Sequence, residues 1–133
     1  MIALRLAVDT NIVVSAALKR DGLQRTVLLL AVTRLARLYV TYAVLARPEF
    51  KIRKRLRQQF VQLLTNRAHL VEPAGVLQVA KDPDDNKFVE CADAARADYL
   101  ITGNAKHFPR FWKNTKVITS REFISIVAPH FVP

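Results

Sequence analysis

The stretch DPDDNKFVECADAARADYLITGN, residues 82–104, reads as a helix that delivers the chain into a buried strand. Asp82 followed by Pro83 is a helix start, the acid as N-cap and the proline at the first helical position, and the helix is predicted to run to about Arg96. DYLIT, residues 98–102, is then a short apolar run of strand type. The stretch also holds six of the eleven carboxylates: Asp82, Asp84, Asp85, Glu90, Asp93 and Asp98.

The same alternation continues outward. LRLAVD, residues 4–9, is a strand that ends on an acid, and TNIVVSAALK after it reads as a loop turning into a helix. Residues 23–37 place Leu23, Val27, Leu30, Ala31 and Leu35 on one helical side, and LYVT at 38–41 returns as a strand, completing a first β-α-β unit. Lys51 to Arg67 reads as a helix with a buried stripe of Ile52, Leu56, Phe60, Leu63 and Leu64. HLVEP at 69–73 and KVIT at 116–119 are further strands, and Thr119-Ser120-Arg121-Glu122 matches a capping box opening a helix to about Val127. Strands alternating with helices predict an α/β sandwich with a mostly parallel central sheet. Residues 1–133 read as a single domain. In such sheets sites form at the carboxyl ends of strands, and that rule selects Asp9, Asn104 and, in the first turn of the helix feeding the 98–102 strand, Asp85.

Bulk composition gives this acidic stretch an unusual setting. Lys and Arg number 21 against 11 acids, a formal charge of +10 that biases encounter toward polyanions such as nucleic acid. No apolar run approaches the ~18 residues that span a bilayer, and the N-terminal run meets Asp9 too soon for a signal peptide, so a cytoplasmic location is expected. The single Cys91 excludes an intrachain disulfide and reads as a buried small hydrophobe.

A basic protein with converging oxygen ligands has a chemical logic. Mg²⁺ is held by one or two carboxylates while keeping waters and phosphate oxygens, and external Lys and Arg hold the phosphate backbone. The inferred reaction is phosphodiester hydrolysis. Plainer roles stand beside this one: Asp9 as a cap for the next helix, Asp82 and Asp84 as charges favourable to a helix N-terminus, Asn104 as a turn residue. Glu90, Asp93 and Asp98 read as lying on a solvated face or at a helix end.

The stretches LAVDTNIVVSAAL, VLARPEF, DPDDNKFVECADAARADYLITGNAKHFP and VITSREFI, in this order, resemble PIN-domain ribonucleases. The likeness is strongest to bacterial toxin components of toxin–antitoxin systems related to VapC toxins. The resemblance implies a Rossmann-like α/β/α fold, Mg²⁺ or Mn²⁺ dependence, single-stranded RNA as substrate, a cognate antitoxin protein and a homodimer. It places Asp9 and Asp85 as metal-binding catalytic residues and Asn104 at a catalytic position where many relatives carry Asp. Thr10, Asn11 and Thr102 shape the site, and where charge is missing either the nuclease is impaired or a neighbour such as Asp84 compensates. One departure is larger. The turn that in relatives brings a second acid after the LYVT strand is absent, because Thr41 runs directly into YAVLARPEF, and Glu49 is the nearest carboxylate. A site with weakened metal affinity follows.

Two cationic segments complete the reading. Arg47, Lys51, Arg53, Lys54, Arg55 and Arg57 fall within eleven residues, so Arg53, Lys54, Arg55 and Arg57 are candidate RNA contacts or a solvated helix face. NAKHFPRFWKN, residues 104–114, interleaves Lys106, His107, Arg110 and Lys113 with aromatics that either clamp single-stranded bases or cover the sheet edge. His107 is also a candidate proton donor. Three functions therefore stand: a metal-dependent endoribonuclease, a degenerate PIN domain that binds RNA or a protein without cleavage, and a phosphatase or receiver using Asp9 as phosphoryl acceptor.

Overall fold

The computed structural model describes residues 3–18, 22–31, 36–46, 62 and 66–129. Strands β1 (Leu4–Val8), β2 (Ala36–Val40), β3 (His69–Leu70), β4 (Tyr99–Ile101), β5 (Phe111–Trp112) and β6 (Thr115–Ile118) form one sheet in the order β3-β2-β1-β4-β6-β5. All pairings are parallel except β5 with β6. The helices are α1 (Thr10–Leu18), α2 (Leu23–Ala31), α3 (Tyr42–Leu45), α4 (Asn86–Ala95) and α5 (Ser120–Val127), with 3-10 turns at Pro83–Asp85 and Ala105–His107.

Period-two alternation along the strands divides the core into two faces. Leu6, Val8, Leu38, Ile101 and Ile118 pack with Ile12 and Ala16 of α1, Val27 and Leu28 of α2, and Phe123 and Ile124 of α5. Their strand neighbours Ala7, Tyr39, Leu100 and Val117 face the other way, onto Phe88, Val89, Cys91, Ala92 and Ala95 of α4 and Val44 of α3. The result is a three-layer α/β/α sandwich with a mostly parallel sheet, as the strand and helix pattern predicts. No helix among the described residues is long and apolar enough to cross a membrane.

Local chemistry accounts for several boundaries. Asp82 caps the 3-10 turn by accepting the Asp84 N–H at 3.0 Å with Pro83 next, so the 82–96 helix begins as a tight turn and becomes α-helical at Asn86. Thr119 and Glu122 form the capping box of α5 at 3.2 Å in both directions. Cys91 is buried, with its thiol toward the Tyr39 carbonyl, and burial pushes its pKa up to about 12.

Other expectations are revised. The predicted 23–37 helix stops earlier, because Ala36 and Arg37 are already paired with Leu4 and Arg5 of β1. The 69–73 strand is reduced to His69–Leu70. The 51–67 helix, its stripe and Glu49 lie outside the described residues, apart from Gln62, Asn66 and Arg67, which are helical. Of the three acids read as lying on a solvated face or at a helix end, Asp98 is exposed just past α4 and Asp93 lies in its last turn, and all three also bond within the frame. Glu90 accepts the Leu77 N–H at 3.0 Å and Asp98 accepts the Arg5 N–H at 2.7 Å. Asp93 takes the Trp112 indole N–H at 3.0 Å and pairs with Lys113 at 2.9 Å; the Lys113 hydrogen bond and then the indole hold its carboxyl below its ordinary range.

Candidate functional site at the carboxyl edge of the sheet

Strand order reverses between β1 and β4: β2 and β3 lie on one side of β1, β4 and β6 on the other. At that switch point the chain leaving β1 places Asp9, whose N–H donates to the Ile101 carbonyl at 2.9 Å. Continuing the registers two residues past the last β1–β2 pair, Ala7–Tyr39, and one residue past the last β1–β4 and β4–β6 pairs puts Thr41, Asp9, Thr102 and Thr119 side by side across β2, β1, β4 and β6. Their place in the pleat assigns this row to the α4 face.

Each member of the row turns a side-chain oxygen back onto its own chain. Asp9 Oδ1 accepts the Asn11 N–H at 3.1 Å, and Thr41 Oγ1 accepts that of Val44 at 3.2 Å. Thr102 Oγ1 accepts the Asn104 N–H at 3.1 Å, and Thr119 Oγ1 that of Glu122 at 3.2 Å. These bonds explain why strands stop there and turns or helices begin. Asp9 is thus a helix cap as well as a candidate site residue. Its second oxygen accepts the Thr102 hydroxyl at 2.8 Å, joining β1 to β4 through side chains.

Asp9 is 3% exposed, and no cation pairs with it among the described residues. A buried carboxylate held only by one hydroxyl and one amide N–H is poorly compensated. Asp85 is half-buried at the N-terminus of α4, the helix whose apolar side packs on the face carrying the row, and in a parallel β-α-β unit that end lies at the carboxyl edge. The Lys81 N–H donates to the His107 carbonyl at 3.0 Å, tying the segment before Asp82 to the turn after Asn104. Asn104 is half-buried at that turn, and its carbonyl accepts the His107 N–H at 2.8 Å.

The other sequence candidates divide. Thr102 joins Asp9 through its hydroxyl, whereas Asn11 does so through its main-chain N–H, its side chain being exposed. The Thr10 hydroxyl is enclosed and has no hydrogen-bond partner among the described residues, so it takes no part there in the Asp9 network. Asp84 and Lys106 are exposed, Lys106 on the turn after Asn104. Arg53, Lys54, Arg55 and Arg57 lie outside the described residues. Among the described residues no group of three His, Cys, Asp or Glu side chains is arranged to hold a metal ion. In the 104–114 segment Phe108 is buried, Trp112 is engaged by Asp93 and only Phe111 projects from the edge strand, so two of the three aromatics are structural.

Asn86 escaped the sequence reading. It is 7% exposed, and its Oδ1 accepts the N–H groups of Val79 at 2.9 Å and Ala80 at 2.8 Å, so it pins the approach to Asp82–Asp85. Asn86→Ala is expected to leave both N–H groups unpaired and to cost about 2 kcal/mol, read as a lowered urea midpoint at unchanged m-value. A midpoint equal to wild type would mean that the loop is held by other contacts. The available sequence signal was an amide directly after a run of acids, at a position where a first-turn side chain reaches back toward the preceding loop.

Residues 5–106 match the family model described as PIN domain. The chain belongs to the PIN-domain family. Among solved structures, the crystal structure of VapBC2 from Rickettsia felis bound to a DNA fragment from their promoter contains a chain of similar fold. The TM-score is 0.61 at 19% identity, covering 87% of this chain and 98% of that one. Among curated proteins, none matches. A separate hollow of about 650 Å³ in this PIN domain is lined by Asp93, Arg96 and Asp98 with Trp112 and Lys113, at the opposite end of α4 from Asp85.

Proposed function

We propose that this PIN domain is a metal-dependent endoribonuclease that hydrolyses phosphodiester bonds of single-stranded RNA and serves as the toxin of a toxin–antitoxin pair. The observation that carries this reading is the Asp9 carboxylate, buried at the topological switch point of a +10 chain and matched by no cation among the described residues. The donor set suits a hard cation. Asp9 and Asp85 would hold Mg²⁺ or Mn²⁺, and the side-chain amide oxygen of Asn104 would add a neutral ligand. When bound, the cation lowers the pKa of a water nucleophile and offsets charge on the scissile phosphate. Thr102 fixes the rotamer of Asp9 by donating to Oδ2, and the Asn11 N–H fixes Oδ1. Lys106, with Arg53, Lys54, Arg55 and Arg57, would supply cations to the phosphate backbone. The fold shared with a chain of the VapBC2 complex supports an antitoxin partner, and a homodimer in the cytoplasm completes the proposal.

A second reading, a PIN domain that binds RNA without cutting it, draws on Thr41. This buried residue next to Asp9 in the row caps α3, so β2 contributes a hydroxyl where charge is wanted. The purified protein, incubated with a mixed-sequence single-stranded RNA, separates the two. Endonucleolytic products with Mg²⁺ or Mn²⁺, suppressed by EDTA, are the expected result. Salt-sensitive binding with no cleavage in either metal would transfer the assignment to the second reading.

A further inference from the structure

We propose that Tyr42 is a stacking platform for a nucleobase of the single-stranded RNA, next to the scissile position; the inference rests on the ribonuclease reading above and deepens it. Tyr42 is 70% exposed, the largest exposure of any aromatic side chain among the described residues. It follows Thr41, the neighbour of Asp9 in the row of strand ends, so it stands at the rim of the acidic site one strand away, about 5 Å in the direction of the sheet's hydrogen bonds. Most of this side chain is left in water at the rim rather than packed into the core.

Its mounting is firm. The Thr41 hydroxyl accepts the Val44 N–H and the Leu45 N–H donates to the Thr41 carbonyl at 3.1 Å, while Val44 is buried in the α4-face core. Tyr42 therefore starts a one-turn helix anchored on both sides, and its Cα is held while its ring projects. Such a ring loses little entropy on stacking, because only two side-chain torsions remain to be fixed.

Chemistry selects the occupant. Every nucleobase presents a π-face, and stacking on an aromatic side chain is tolerant of sequence. The +10 charge favours a polyanion over an acid-poor protein surface, and Lys106 stands on the other side of Asp9, on the turn following β4 and Asn104. A strand crossing the carboxyl edge from Tyr42 to Lys106 would pass over Asp9, with a base on the ring and a phosphate at the ammonium.

The test uses the full chain in an Asp9→Asn background, so that RNA is bound without being cut. A short single-stranded oligonucleotide carrying 2-aminopurine reports stacking by fluorescence quenching, and anisotropy reports affinity. Tyr42→Ala is expected to weaken binding roughly tenfold and to remove the quenching, whereas Tyr42→Phe and Tyr42→Trp keep both. The slope of log affinity against log salt should stay as it was, since no phosphate contact is lost. Unchanged affinity and quenching in Tyr42→Ala, with salt-sensitive binding intact, would overturn the stacking role and leave the ribonuclease reading standing. No RNA binding in the Asp9→Asn background and no cleavage by wild type would overturn both.

Discussion

Asp9→Asn is expected to reduce metal-dependent RNA cleavage to below about one per cent of the wild-type rate while the protein stays folded. The substitution keeps the shape of the side chain and removes its charge. The amide oxygen can still accept the Asn11 N–H, and the amide nitrogen meets Thr102 Oγ1, which retains a lone pair beside the one given to Asn104. The network loses the proton that Thr102 now gives to Asp9, at a cost of about 1 kcal/mol. Against that, a buried carboxylate with no cationic partner among the described residues disappears, a change that is commonly neutral or stabilising. Cleavage and stability should therefore separate: products vanish on the gel while the melting temperature stays near that of wild type without added metal. Cleavage surviving in this variant would remove Asp9 from the chemistry altogether.

Phe88→Ala is expected to be the most damaging single change to the fold. Phe88 is fully buried on α4, in the cluster it forms with Ala7, Tyr39, Leu100 and Val117 of the sheet. Removing the ring leaves a cavity in this layer, at a cost of about 3–5 kcal/mol. That is comparable with the entire stability of a marginal domain, about 5 kcal/mol at the low end. Because Asp85 directly precedes α4 and Phe88 lies three residues beyond it, loosening the packing of this helix also unseats the proposed metal residue. Urea denaturation followed by the fluorescence of the single tryptophan, Trp112, which is bonded to Asp93 on the same helix, measures the loss. A loss below about 1 kcal/mol would mean that the α4 layer tolerates the cavity by collapse.

What was legible in the sequence was carried by local chemistry. Asp9 at a strand end, the Asp82-Pro83 helix start and the Thr119–Glu122 capping box depend on residues within a few positions of one another, and each stands where its spacing placed it. The parallel sheet followed from alternation. The less legible parts depend on distant partners. Asp98 binds the Arg5 N–H across 93 residues, and nothing near Asp98 announces that. Asp93 and Trp112 meet through a hairpin whose outer strand is two residues long, too short for any periodicity to reveal. Asn86 lay hidden for the opposite reason: beside Asp82, Asp84 and Asp85 it looked like one more polar residue, and only burial distinguishes it. For the candidate site, the family resemblance supplied the chemistry and the register supplied the neighbours. Thr41 became meaningful only once β2 was seen beside β1.

The row Thr41, Asp9, Thr102 and Thr119 has a consequence for how such a site can change. Each residue of the row already employs a side-chain oxygen in ending a strand, so under the proposed function a residue at this edge serves two masters, local order and reactivity. Installing a carboxylate by Thr41→Glu would add charge about 5 Å from Asp9, yet would give up the cap of α3, a loss of about 1 kcal/mol. Aspartate, short enough to cap and charged enough to bind, is the side chain that escapes the dilemma. At Asp9 the chain uses it; at Thr41 it has settled for order.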